Sequence, residues 1–244
     1  IEENSNKVPV NYVLPPGVTR VIDPSQQQIR QENEQAMLLR VLDLSSGDAR
    51  GVYKKTSYDV RQYERLQMFV HAEALADNTT DLKDNELKAF IRLCSDCKNN
   101  YYEYEIPLTL TPAGTYSTNK TSDQEIVWPE DNMFNFPFKL LTNLKLKRNQ
   151  EKNRAGSSVT NLTPYYEYDP DNLANKVTIV GNPNLGEVDV IMVGIRNSSM
   201  DIKSGEVWVN ELRLTDYDED GGWGAMGNVA IGLSDMGSIN VSAR

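Results

Sequence analysis

The sequence contains few of the residues that build metal centres and catalytic triads. Its 244 residues include one histidine, His71, and two cysteines, Cys94 and Cys97. A structural zinc site needs four ligands, which one histidine and one cysteine pair do not supply. A Ser-His-Asp triad is not supported either, because no Gly-x-Ser-x-Gly elbow accompanies the histidine. We therefore expect no cofactor and no enzyme, a structural or exposed His71, and cysteines that form a loop disulfide or stay free.

Long apolar runs, an initiator methionine and a signal peptide are also missing. No stretch reaches the roughly 18 to 20 apolar residues that a membrane-spanning helix requires. The chain starts at Ile1 without a basic and apolar leader. We therefore expect no helical membrane span, and we interpret the chain as a segment of a longer protein.

Positively charged side chains are fewer than negatively charged ones. The chain has 25 Lys and Arg against 35 Asp and Glu, which gives a formal net charge of -10. Nucleic-acid backbones are bound through clustered Lys and Arg. Nucleic acid is therefore not an expected partner.

A series of short strand patterns is present instead. Alternating apolar residues mark segment 65–73, and segments 88–93 and 101–110 predict a hairpin across a Cys- and Asn-rich turn. Further strands are predicted at 177–180, 188–195 and 206–214. The strand at 188–195 is apolar on both faces and should be central. Many short strands with Gly, Pro and Asn turns are typical of a mainly β fold, an antiparallel β-sandwich or jelly roll, here with one or two short helices.

Two helices are predicted beside these strands. Asp23-Pro24-Ser25-Gln26 has the layout of a capping box with Pro at the first helical position, which predicts a helix from Pro24 to about Leu39. The apolar spacing over 131–150 predicts a second helix. The predicted domains are an extended entry segment with a helix over 1–49, a β-sandwich over 50–220 and an amphipathic β-hairpin over 221–244.

The C-terminal hairpin is predicted from a change of composition after Gly221. Apolar residues alternate with small or polar ones over 229–233 and, after a Ser-Asp-Met-Gly turn, again over 239–241. This pattern is typical of outer-membrane β-hairpins, and Trp223 lies where an aromatic girdle residue would. A half-buried soluble hairpin shows the same alternation, so the pattern alone leaves both interpretations open.

Three segments resemble the SprA/Sov family of Bacteroidetes: Gly205 to Trp223 (GEVWVNELRLTDYDEDGGW), Tyr12 to Gly17 (YVLPPG) and Tyr63 to Glu73 (YERLQMFVHAE). The resemblance implies a very large outer-membrane β-barrel, the translocon of the type IX secretion system, which also supports gliding motility. This chain would be a non-enzymatic structural or interaction domain inserted between barrel strands, and the residues after Gly221 would begin further strands.

The same resemblance implies a place in the cell and a set of partners. The domain would belong to the cell envelope, associated with the outer membrane through the parent barrel, on its periplasmic or cell-surface face. The implied partners are an outer-membrane shuttle protein, a plug and the exported polypeptides.

Residues 205–214 are also similar to the closing strand of carbohydrate-binding jelly rolls, which leaves a carbohydrate-binding module of a cell-surface protein as the alternative function. Such a module stacks exposed rings on sugars, and the candidates are Tyr101, Trp128 and Tyr166. Tyrosines in strands are more often cross-strand packing pairs. A glycosidase-like enzyme would need only two carboxylates, and the sequence singles out no pair.

One acidic segment resembles the opening of a calcium loop. Asp216, Asp218 and Asp220 place carboxylates at alternate positions, and Gly221 permits the sharp turn. The bidentate Glu expected six residues after that glycine is missing, because the position is Gly227. The three aspartates are the candidate calcium ligands, with a solvated acidic turn as the alternative.

Overall fold

A computed structural model describes residues 1, 7–19, 34–217, 227–233 and 237–243. Within these residues the fold is mainly β and sandwich-like, with two antiparallel sheets that form the sandwich, a separate two-stranded sheet and two short helices. The predicted fold class is therefore confirmed. No helix in the described part of the chain has the length and apolar character needed to cross a membrane.

The smaller sheet of the sandwich has the order β1-β10-β3-β6 and the larger one the order β2-β9-β4-β5-β8-β7. The strands are β1 Met37–Leu44, β2 Ala49–Tyr58, β3 Tyr63–Glu73, β4 Leu87–Asp96, β5 Asn100–Pro107, β6 Phe134–Pro137, β7 Tyr165–Tyr168, β8 Lys176–Val180, β9 Val188–Asn197 and β10 Lys203–Tyr217. The helices are α1 Thr121–Val127 and α2 Phe138–Lys152, with a 3-10 turn at Glu130–Asn132.

Apolar side chains of the two sheets form one core between them. Successive side chains of a strand point to opposite faces, so Leu66 and Met68 of β3 and Ile91 and Leu93 of β4 meet in the interior. Helix α2 contributes Leu141 to the same core. The opposite face of each sheet is left to polar and charged side chains or to covering segments.

Most strand predictions are confirmed. Strands β4 and β5 form the predicted hairpin, with Leu93 opposite Tyr102. Strand β9 is an interior strand between β2 and β4, as its two apolar faces predicted. Strand β9 is the second strand from the edge, with a paired neighbour on each side, so it is interior but not at the centre of the sheet.

The helix predicted from Pro24 to Leu39 is wrong at its end. Residues 37–39 belong to β1 and pair with β10, with Met37 opposite Val209. Residues 24–33 of that prediction lie outside the described residues. Packing decided the conformation, since Leu39 and Val41 alternate toward the core, which only a strand allows.

The helix predicted over 131–150 begins later than expected. Phe134 and Phe136 lie in strand β6 and reach the core on one face. Pro137 is the N-cap residue and α2 follows it directly. Proline fits the end of this edge strand, where no ladder hydrogen bond is lost. The prediction is therefore right for the helix body and wrong for residues 131–137.

The N-terminal segment covers the outer face of the smaller sheet. Val10, Tyr12 and Val13 form a second apolar cluster with Trp128 and Trp208. The one histidine, His71, is buried beside this cluster. Its Nδ1 atom is 2.8 Å from the carbonyl oxygen of Val127, and its ring stacks on Trp208 with centroids 3.7 Å apart.

An ion cluster, which we call the N-terminal clamp, holds this segment on the sheet. It consists of Lys7, Arg40, Glu73 and Glu206. The Nζ atom of Lys7 lies 2.8 Å from Oε2 of Glu206 and also pairs with Glu73, while Arg40 pairs with Glu206. Both carboxylates are buried, so they depend on these cations.

Two further strands, β11 Gly227–Leu233 and β12 Gly237–Ala243, pair with each other in antiparallel register. Val229 lies opposite Val241 and Ile231 opposite Ile239. The suggestion that they begin membrane strands stays a prediction.

Candidate functional site

The outer face of the larger sheet carries a group of charged side chains around one phenylalanine. We call this surface the charged face; its members are Lys88, Phe90, Arg92, Glu103, Glu105, Lys176 and Arg196. Register brings them together: Arg92 is opposite Glu103, Phe90 is opposite both Glu105 and Gly194, and Lys88 is opposite Arg196. Each alternates with a core residue on its strand, which is why a strand buried on one face projects these groups outward.

Four cations surround two carboxylates on this face. The Nε atom of Arg92 donates to Oε2 of Glu103 at 2.6 Å, and Nη1 of Arg196 donates to Oε1 of Glu103 at 3.1 Å. Glu105 pairs with Arg196, with Lys176 at 2.9 Å and with Lys88 at 3.5 Å. Both glutamates are almost fully enclosed. Four positive and two negative groups leave a local surplus of positive charge in an otherwise acidic chain.

The two arginines of the charged face lie over the ring of Phe90. The guanidinium carbons of Arg92 and Arg196 are 5.2 and 5.1 Å from the centre of its ring. The ring itself occupies the space over Gly194, where a Cβ atom would overlap it. A cation over an aromatic face is attracted by the ring quadrupole. The arginines are thus held in fixed positions before any ligand arrives.

The crowding of cations on the charged face affects the pKa of Lys88. Burial lowers the pKa of its ammonium group, and repulsion from Lys176 and Arg196 lowers the pKa further. Tyr168 acts in the opposite direction but does not cancel these effects. An anion placed on the charged face would relieve this repulsion.

A disulfide closes the turn beside the charged face. Cys94 and Cys97 are bonded to each other, which settles the alternative between a loop disulfide and free thiols. The carbonyl oxygen of Cys97 accepts a hydrogen bond from Nη1 of Arg92 at 3.3 Å. Asp96 accepts the backbone N–H groups of Asn99 and Asn100 in the same turn. The turn therefore helps to position Arg92.

Two of the three predicted sugar-stacking residues lie on the outer face of this sheet. Tyr101 sits at the start of β5, and the guanidinium carbon of Arg92 is 4.2 Å from the centre of its ring. Tyr166 lies on edge strand β7 and is 56% exposed. Tyr168 lies next to it at 86° between ring planes. The two rings therefore offer separate surfaces instead of one flat platform.

Trp128 does not join them, and this part of the prediction is corrected. It is 3% exposed and belongs to the cluster beneath the N-terminal segment. Its Nε1 atom donates to the carbonyl oxygen of Val13 at 2.8 Å. An indole enclosed by protein and satisfied by a backbone acceptor has no face left for a sugar.

The calcium prediction reaches only partly into the described chain. Asp216 lies near the end of β10, whereas Asp218 and Asp220 lie outside the described residues. Within the described ranges, no three His, Cys, Asp or Glu side chains are grouped so that they could hold a metal ion. The calcium loop therefore stays a prediction.

A second feature is a cleft between the two sheets where β1 and β2 form their edges. It has a volume of about 630 Å³. Its apolar lining includes Met37, Val52, Ile191, Val209 and Leu214. We call β1, β2 and this cleft the open edge.

The charged face was not identified in the sequence, although part of its signal was there. Lys88, Phe90 and Arg92 alternate with the apolar residues that predicted strand β4. The partners Glu103 and Glu105 alternate in the same way on β5. Which charges meet depends on strand order and register, and neither is encoded locally.

The fold and these surfaces define a β-sandwich domain with a charged outer face and an edge that no strand covers within the described residues. A family model named SprA_N, described as a motility related/secretion protein, matches residues 1–244. The chain therefore belongs to the SprA_N family, and the resemblance found in the sequence is confirmed. Membership makes it part of a motility and secretion-related protein, with envelope association and contacts to secretion components. Comparison with curated proteins gives no match.

Proposed function

We propose that this chain is a non-enzymatic interaction domain of a large outer-membrane translocon of the type IX secretion system, serving protein export and gliding motility. Family membership supports the secretion and motility part of this proposal. The domain would lie at the outer membrane, on its periplasmic or cell-surface face, and contact exported polypeptides, a shuttle protein and a plug.

The observation that carries the proposal is the open edge. Strand β2 pairs on one side with β9 and has no strand partner on its other side among the described strands. Most of its residues are exposed, Tyr53 by 64%. Apolar side chains of both sheets line the adjoining cleft, where a closed sandwich would cover them. Exposed apolar surface of this kind marks interaction sites.

An extended exported polypeptide is the occupant that fits the open edge. A chain in strand conformation can pair with the free backbone groups of an edge and insert every second side chain into the cleft. Arg50, Lys54 and Lys55 make β2 cationic. Positive charge on an exposed edge discourages pairing between two copies of the domain, while it still admits a chain with acidic residues.

The non-enzymatic part of the proposal is supported by the environment of the enclosed glutamates. Retaining and inverting glycosidases need one protonated carboxyl group beside one free carboxylate. Glu103 contacts two cations and Glu105 contacts three. Both enclosed carboxylates are thus committed to ion pairs within the sheet, which is the arrangement expected of structural groups.

Photo-crosslinking in living cells tests the proposal. A photoreactive phenylalanine analogue replaces Tyr53 in the full-length protein, and the control carries it at Leu162, which is also exposed but lies near the opposite edge strand β7. We expect exported polypeptides to be crosslinked at position 53 and not at 162, and only while export is active. Equal crosslinking at both positions, or none at 53, would contradict the proposal.

A further inference from the structure

The charged face has hydrogen-bond donors that its own carboxylates do not use. Lys88 reaches Glu105 only at 3.5 Å, the outer limit of a hydrogen bond. An ammonium group has three donors, so most of those on Lys88 remain for an acceptor outside this ion network. Lys88 and Lys176 are each more than one quarter exposed in their side chains. These donors are accessible to a ligand with oxygen acceptors.

Exposed rings border these donors. Tyr168 lies opposite Lys176 in strand register and Tyr166 lies opposite Thr178. Both tyrosines are more than half exposed, and Nζ of Lys176 is 6.0 Å from the centre of the Tyr166 ring. The apolar face of a sugar can pack on such a ring while its charged group reaches the neighbouring ammonium.

We propose that the charged face binds a polysaccharide that carries carboxylate groups. Lys88, Lys176 and the two arginines receive the carboxylates, and Tyr166 and Tyr168 contact the sugar rings. The inference is independent of the translocon proposal, because it concerns the middle of the larger sheet and not the open edge.

Strand pairing in the sheet favours a glycan over an acidic polypeptide. Strands β4, β5 and β8 are interior strands with neighbours on both sides. Their backbone groups are used within the sheet, so a polypeptide cannot add there as a further strand. A ligand that lies over these three strands must be recognised by side chains alone. Rings next to fixed cations provide that recognition for an acidic sugar.

The test uses three soluble polymers and the whole 244-residue chain. Polygalacturonate carries the carboxylate on every sugar, its methyl ester removes the charge from the same backbone, and polyglutamate carries the carboxylate on a polypeptide. Binding is measured by isothermal titration calorimetry. We expect binding to polygalacturonate, with at least about tenfold weaker binding to each of the other two, which corresponds to about 1.4 kcal/mol.

Matched variants test whether the polysaccharide binds on the charged face. Lys176→Gln and Tyr168→Ala should each weaken polygalacturonate binding about fivefold or more. Lys83→Gln and Tyr58→Ala remove an exposed lysine and an exposed tyrosine elsewhere and should leave it unchanged. Lys176→Gln also removes an ion-pair partner of Glu105. If a thermal melt shows that this variant is unfolded, the binding result for Tyr168→Ala alone tests the site.

Three results would overturn the inference. Absence of polygalacturonate binding would contradict the inference directly. Equal binding of polyglutamate would show attraction by charge alone and make an acidic polypeptide the ligand. Equal binding of the methyl ester would show that the cations take no part. None of these results would affect crosslinking at Tyr53, so the two proposals fail separately.

Discussion

Glu73 on β3 and Glu206 on β10 lie directly opposite each other in strand register, and both carboxylates are enclosed by protein. Two adjacent buried negative charges repel each other, and a cation shared between them offsets this repulsion. Lys7 supplies that cation from the N-terminal segment. The segment that resembles the family at Tyr12 to Gly17 is thereby fixed to the strands that carry the other two family segments.

Removing the shared cation should loosen the N-terminal segment. In Lys7→Met the two carboxylates lose a common partner, and we expect the free energy of unfolding to fall by about 3 kcal/mol. Hydrogen exchange should speed up over residues 10–14. Lys147→Met, which breaks only an exposed pair, should cost less than about 1 kcal/mol. Equal losses in both variants would contradict the role of the N-terminal clamp.

The N-terminal clamp should also weaken in acid. Burial alone raises the pKa of Glu206, but the hydrogen bond and charge of Lys7, together with Arg40, outweigh it and hold the pKa below its ordinary value of 4.5. The folded state therefore binds this proton less readily than the unfolded state. The stabilisation is complete above about pH 4.5 and is lost as the pH falls through the lower folded-state pKa.

Denaturant unfolding of the wild type and Lys7→Met at about pH 7 and about pH 3 checks this. The difference in free energy of unfolding between the two proteins should shrink at the lower pH. A difference that stays constant would show that Lys7 does not lower the pKa of Glu206.

The enclosed carboxylates of the charged face should be essential for its stability. Glu105→Gln leaves Lys88, Lys176 and Arg196 crowded around a neutral group, and we expect a loss of about 3 kcal/mol in free energy of unfolding. Glu167→Gln removes the partner of an exposed lysine and should change stability by less than about 1 kcal/mol. Similar small effects for both would mean that water screens the charged face as it does an ordinary surface.

Gly194 and Phe90 should be energetically coupled. Gly194→Ala places a methyl group against the Phe90 ring and the backbone oxygen of Arg50, and such overpacking costs about 1 to 3 kcal/mol. In the double variant with Phe90→Ala part of that overlap disappears. The cost of the pair should be smaller than the sum of the single costs by about 0.5 kcal/mol or more. Additive costs would show that the ring does not depend on the glycine.

Local patterns predicted the sandwich strands β3, β4, β5, β8, β9 and β10, but they missed β1, β2, β6 and β7 and the surfaces that these strands carry. The alternation over 65–73 and 88–93 is a direct consequence of a buried sheet face, so β3 and β4 were found. The capping box before Pro24 favoured a helix that the packing of Leu39 and Val41 replaced with a strand. Trp128 is buried because a distant segment, residues 10–13, covers it, and the sequence around Trp128 does not show this.

The charged face depended on long-range register in the same way. Arg92 and Glu103 are close in sequence and lie on neighbouring strands of the predicted hairpin, so their pairing could have been predicted. Arg196 joins Glu103 from 93 residues away. No local pattern specifies that partner, since strand order is set by the global fold. The family segments, in contrast, were readable directly, because a resemblance does not require the fold to be solved.

Export by cells that carry Val52→Asp in the full-length protein tests the central claim most directly. Val52 lines the cleft of the open edge, and a carboxylate there should oppose an apolar or acidic occupant without unfolding an exposed edge strand. Leu162→Asp is the control at an exposed site near β7. We predict that Val52→Asp strongly reduces the amount of secreted protein and spreading motility, with unchanged thermal stability, while Leu162→Asp behaves as wild type. Normal export and motility in a stably folded Val52→Asp strain would contradict the account.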